Sequence, residues 1–151
     1  MNATACTGPV LVGVDGSPGA NAALDVAARL ALALDVELIV VHCVGLTAHL
    51  GGDVVPANQH LDELSEQLHG AWTAPLRAFG RSLQWQAELV WGAPAEVLTC
   101  LGTQRETSFV VVGSRGHRES GPELLGSTSH HVVHHSRRPV VVVPDQSHQE
   151  D

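Results

Sequence analysis

Gly113, Gly116, Gly126 and Ser127 stand in the pattern Gly-x-x-Gly, nine residues, Gly-Ser, directly behind the apolar run Phe109–Val112. Without a Cβ, glycine lets the backbone turn through positive φ and lets a ligand come close to the chain. Gly126-Ser127 falls where the next helix is expected, inside it or near its start. The first N–H groups of a helix lack intrahelical partners, so N–H dipoles with a hydroxyl beside them make a natural anion site. Phosphate is the chemistry this arrangement suits. It is not a Walker A loop, whose Gly-Lys-Ser/Thr ending is missing. The chain has no lysine anywhere; all eight of its basic residues are arginines. A phosphate would therefore be held by backbone N–H groups, Ser127 and Arg115. Spacing alone leaves a plainer reading open, in which the glycines only punctuate a strand–loop–helix junction.

Other residues invite chemistry less strongly. Asp15 and Ser17 close the apolar run Val10–Val14. Either can touch a ligand or cap the following helix; ligand contact is favoured for Asp15, and both roles stay open for Ser17. In "HHVVHH", His130/His134 and His131/His135 are i,i+4 pairs on a helix, the spacing of metal ligands. No cysteine or carboxylate joins them locally, and helical geometry sets them opposite Leu125, Val132 and Val133. An exposed, pH-sensitive helix face is the expectation, with no metal site. His42, inside an apolar run, reads as a satisfied core histidine. Trp85 and Trp91 read as packing a strand face, not as stacking platforms for bases. No Gly-x-Ser-x-Gly elbow, zincin pattern or Gly-x-Gly-x-x-Gly fingerprint is present, so no catalytic residue is assigned. The three cysteines, Cys6, Cys43 and Cys100, form no CxxC pair and suit free thiols in a reducing compartment.

These residues need elements to position them. Val10–Val14 reads as a buried strand, Ala20–Leu34 as a helix and Val36–Val44 as a second strand. Gly45–Pro56 shows no period and reads as a loop. From Ala57 to Phe79, Leu61, Leu64, Leu68, Trp72, Leu76 and Phe79 recur at helical spacing, with Gly70 and Pro75 expected to bend or interrupt the helix. Trp85–Trp91 alternates like a strand near a sheet edge. Pro94–Gln104 reads as a helix, Phe109–Val112 as a strand, Pro122–Ser136 as a helix and Pro139–Val143 as the last strand. Five strands alternating with helices imply an α/β fold, an open five-stranded parallel sheet with helices on both faces. Ligands of such sheets sit beyond the carboxyl ends of the strands, where the strand order reverses. The turn Asp15–Ser17 and the glycine stretch would meet there.

The length of 151 residues suits one domain, expected over residues 8–144 with frayed tails at 1–7 and 145–151. A net charge of −8 argues against non-specific binding to nucleic acid or to an anionic membrane. No signal peptide and no run long enough to span a bilayer is apparent, so the cytoplasm is the expected location. If the four valines behind Pro139 lie at a sheet edge, their ladder groups invite pairing with a second copy of the chain.

The segments "VLVGVDGS" (10–17), "ELIVVHCV" (37–44), "WGAPAEVL" (91–98) and "VVVGSRGHRESGPELLGSTSHHVVHHSRRPVVVVP" (110–144) resemble, in this order, the universal stress protein family. The resemblance covers nearly the whole chain and includes the glycine–serine signature that marks the family's ATP-binding members. It implies a Rossmann-like fold of the adenine nucleotide alpha-hydrolase kind and ATP, ADP or AMP as ligand. Asp15, with Val14, Gly16 and Ser17, would lie near the adenosine end, and the backbone around Cys43 would meet the adenine edge. Gly113, Ser114, Arg115 and Gly116 would line ribose and phosphates, and Gly126, Ser127 and Thr128 would hold the phosphate tail. The resemblance also implies a homodimer through Pro139–Val143 and a nucleotide-dependent role in the stress response. A nucleotide-free interaction scaffold and a weak ATP hydrolase are the alternatives. One departure stands out: "HRESGPE" (117–123) is polar where the family often has an apolar anchor. Glu119 and Glu123 would there either help hold Mg²⁺ with the nucleotide or remain solvated loop charges, the favoured reading.

Overall fold

A computed structural model describes residues 7–50, 52–116 and 125–145. Its first elements are β1 (Val10–Gly13), α1 (Pro18–Leu34) and β2 (Leu38–Val44). Two short strands follow, β3 (Thr47–Leu50) and β4 (Asp53–Pro56), and then α2 (Leu61–His69). The chain continues through β5 (Trp85–Trp91), α3 (Pro94–Gln104), β6 (Phe109–Gly113), α4 (Ser127–His135) and β7 (Val140–Val143).

Helix α1 starts where local chemistry tells it to. Ser17 Oγ accepts the Ala20 N–H at 3.2 Å, and Pro18 occupies the first turn, where its missing N–H costs nothing. The helix ends at Asp35, left-handed at φ 55, whose N–H returns to the Ala31 and Leu32 carbonyls.

β5, β2, β1, β6 and β7 form, in that order, one sheet in which every pairing is parallel. The inner strands are apolar on both sides because both faces are covered, whereas edge strand β5 alternates, with Gln86 and Glu88 among its apolar residues. Val10, Val12, Leu38, Val40 and Val111 pack toward the alanine- and leucine-rich face of α1. Leu11, Ile39, Val41, Val110 and Val112 point the other way, onto Val97 and Leu98 of α3 and Val132 of α4. The chain builds outward from β1 through β2 to β5, then crosses to the other side of β1 for β6 and β7. The order therefore reverses between β1 and β6, and a crevice opens at their carboxyl ends. No helix among the described residues is long and apolar enough to cross a membrane.

Four local expectations are corrected. The stretch 45–56 is not a loop: β3 and β4 pair antiparallel, with Thr47 opposite Pro56 and Leu50 opposite Asp53. Strands of four residues are too short to show a period, yet the Gly51-Gly52 pair was a hairpin signal in its own right, and Gly52 does take φ 89. The long helix over 57–79 ends at His69, and Gly70 is the break. Pro75 interrupts nothing; it sits in the first turn of a separate 3-10 segment, Ala74–Ser82. Helix α4 begins at Ser127, not at Pro122; residues 122–124 lie outside the described residues. Asp145, placed in the tail, is tied back by its N–H to Ser114 Oγ at 3.2 Å. The rest of the two tails lies outside the described residues, Thr7 excepted.

Candidate functional site

A cavity of about 290 Å³ lies over the carboxyl ends of β1, β2 and β6. The β3–β4 hairpin contributes Thr47, Ala48 and His49 to its lining, and α3 contributes Pro94 and Leu98. Trp72, between α2 and the 3-10 segment, forms a further part of the wall, and Ser127, Thr128 and Ser129 present the first turn of α4. Of the residues singled out in the sequence, Val14, Asp15, Ser17, Cys43, Gly113, Arg115, Gly116, Ser127 and Thr128 line this one space.

Gly16, Ser114 and Gly126 do not line it; they hold its walls together. Gly16 has φ 80, and a Cβ there would run into the Trp72 indole nitrogen. The buried Ser114 joins three segments. Its carbonyl accepts the Gly126 N–H at 2.7 Å and the Ser129 hydroxyl at 3.0 Å, and its own hydroxyl takes the Asp145 N–H. Gly126 is the N-cap of α4, without a side-chain cap. Its carbonyl accepts the His130 N–H at 2.9 Å.

The two readings of Asp15 both find an atom. Oδ1 accepts the Ser17 N–H at 2.9 Å, closing the turn after β1. Oδ2 lies toward Gly116, 3.3 Å from where a Cβ on that glycine would stand. Ser17 is 2 % exposed and its hydroxyl caps α1, so capping accounts for its side chain. Arg115 is the arginine of the lining, among the described residues.

Burial pushes the Cys43 thiol up from an ordinary 9.0 to about 12. The thiolate is the reactive form, so Cys43 should resist alkylation in the folded protein while the exposed Cys100 reacts. A stability effect follows. Between pH 9 and 12 the unfolded chain gives up the Cys43 proton and the folded chain keeps it. Stability is thus intact below pH 9 and falls as pH rises through this window, by at most about 1.4 kcal/mol per pH unit. With no lysine and no tyrosine in the chain, few other side chains titrate there. Urea unfolding across the window should show a smaller decline for Cys43→Ala than for the parent.

Among the lining residues that were not read as site residues in the sequence are three aromatic rings, His42, His49 and Trp72. His42 is satisfied as expected: its Nδ1 is 2.7 Å from the Val14 carbonyl, which only accepts, so Nδ1 carries the hydrogen and donates. Yet the ring is half-buried and lines the cavity. Trp72 read as one of the apolar helix residues, but the break at Gly70 removes it from that face; this was the available signal. His49 was hidden by reading its hairpin as a loop. Of the other two tryptophans, Trp85 packs against the core as expected, whereas Trp91, at the end of edge strand β5, is 58 % exposed.

The histidines of α4 pair on its surface, with ring centroids 4.5 Å apart for His130/His134 and 4.2 Å for His131/His135. Val133, expected opposite them, is 44 % exposed, and Ser129 and Val132 form the buried face. Among the described residues no three His, Cys, Asp or Glu side chains converge.

Comparison with known proteins agrees over nearly the full length. The profile of the universal stress protein family matches residues 7–144. Universal stress protein YxiE of Bacillus subtilis is 32 % identical over 143 residues, covering 89 % of this chain and 97 % of that protein. The chain spans about half the length of the mycobacterial relatives it matches. Among solved structures, a universal stress protein in complex with cAMP superposes with a TM-score of 0.71 at 24 % identity, covering 93 % of this chain and 98 % of that one. The universal stress protein of Archaeoglobus fulgidus in complex with dAMP gives 0.68 at 22 % identity, covering 91 % and 98 %.

Proposed function

The chain belongs to the universal stress protein family, and from this premise we propose that its cavity binds ATP or a related adenine nucleotide, ADP or AMP. The observation that carries the reading is the corner where the first turn of α4 meets the Gly113–Gly116 turn. Helix α4 has no side-chain cap at Gly126, Ser127 and Thr128 stand beside its first N–H groups, and Arg115 lines the same space. Such a corner suits phosphate without lysine. The cAMP and dAMP held by structural neighbours support an adenine ligand. Its base would lie toward Cys43 and the end of β2, and its phosphates toward α4. Mg²⁺ would arrive with the nucleotide; Glu119 and Glu123, the sequence candidates for holding it, lie outside the described residues.

The protein would act in the cytoplasm as a nucleotide-dependent regulator of the stress response, as a homodimer. β7 is an edge strand, so its outer ladder groups can pair with a second copy; sedimentation as a single copy would remove that part. Heating freshly purified protein should release adenine nucleotide into the supernatant. Absence of released nucleotide, together with no heat on titrating ATP, ADP or AMP, would leave an interaction scaffold of the same fold.

A further inference from the structure

We propose that Trp72, braced by His42, is the aromatic wall against which the ligand's planar base stacks, an inference that rests on the nucleotide reading of the cavity. Trp72 is half-buried, packs against two core clusters and lines the cavity. Three contacts fix its position. Its backbone N–H donates to the Gln67 carbonyl at 2.9 Å, across the break at Gly70. The next residue, Thr73, is buried and donates its hydroxyl to the Leu68 carbonyl at 2.7 Å. The indole itself fits against Gly16, where any Cβ would displace it.

His42 braces the indole from the sheet. The two ring centroids are 4.7 Å apart, with the planes at 57°, within the range of tilted aromatic pairs. The imidazole is locked in turn, because its Nδ1–H donates to the Val14 carbonyl at 2.7 Å. The indole is therefore held before any ligand arrives, and little ordering is needed on binding. A fixed indole in the wall of a cavity of this size suits a heteroaromatic base more than an aliphatic or purely anionic ligand.

Stacking acts on the base, so the contribution of Trp72 should not depend on how many phosphates follow it. Trp72→Ala should weaken adenosine, AMP and ATP alike, by about ten- to a hundredfold, and Trp72→Phe should keep part of the affinity. In a Trp85→Phe/Trp91→Phe variant, Trp72 is the one tryptophan left. Its emission should change saturably with adenosine, at the dissociation constant that calorimetry gives. Unchanged emission at saturation, or a folded Trp72→Ala variant binding AMP like the parent, would overturn the proposal while leaving the nucleotide reading in place. If Trp72→Ala does not fold, the emission change and Trp72→Phe decide. A parent protein that binds no adenosine, AMP or ATP would overturn both.

Discussion

Gly116→Glu should lower ATP affinity at least about a hundredfold while the domain stays folded. The position is exposed, and its φ lies outside the left-handed region, so an ordinary side chain can adopt the backbone. The nearest atom to a new Cβ is Asp15 Oδ2, at 3.3 Å, a side-chain atom and not backbone. A glutamate would place bulk and a second negative charge beside Asp15 in the space proposed for phosphate, and juxtaposed like charges cost several kcal/mol. Ser127→Glu should do the same from the α4 side of that corner. Ser127 is exposed at the first position of α4, where a carboxylate interacts favourably with the helix dipole. Folding should therefore not suffer, although the anion corner is filled by the protein's own charge. Calorimetry with ATP, beside thermal melts of both variants, checks this. Two folded variants with unchanged affinity would move the phosphates elsewhere.

Gly113→Val should behave in the opposite way, destabilising the fold by about 1–3 kcal/mol. A Cβ on Gly113 would stand 2.8 Å from the Gly19 carbonyl oxygen and 2.9 Å from its carbon, with the Arg115 carbonyl at 3.4 Å. All are backbone atoms, so relief requires moving the first turn of α1 away from the end of β6. Gly19 is pressed from its other side, since its own Cβ would meet the Arg115 carbonyl. The two glycines thus interlock α1 with the turn that leads into the cavity. Urea unfolding should show a lower midpoint at unchanged slope, and Gly116→Ala, as control, should stay within about 0.5 kcal/mol of the parent. An unaffected Gly113→Val would mean that α1 and β6 can part without cost.

These two outcomes divide a motif that is uniform on paper. In the sequence, Gly113 and Gly116 are equivalent members of one phosphate-suited pattern. In the structure, Gly113 is pressed against backbone at the cavity's edge, whereas Gly116 is exposed and meets only a side-chain oxygen, Asp15 Oδ2. Gly16 moves likewise, from candidate ligand contact to the place that admits Trp72.

What the sequence determined by itself is the alternation of strand and helix, the parallel sheet and the crevice at its reversal. The family resemblance put Cys43 at that crevice; the residues themselves put Asp15, Arg115 and the Gly–Ser corner there. These follow from local rules: apolar period, Pro and Ser at a helix start, glycine at a turn. Only the tertiary structure decided that His42 and Trp72 face each other and that His49 reaches the same space. Only it decided that Ser114 ties β6 to α4 and to the chain after β7. Each of these depends on atoms from segments far apart in the chain, such as Val14 and His42, separated by 28 residues. Periodicity assigns a residue to a face of its own element, but which neighbour that face meets is set by how the elements pack.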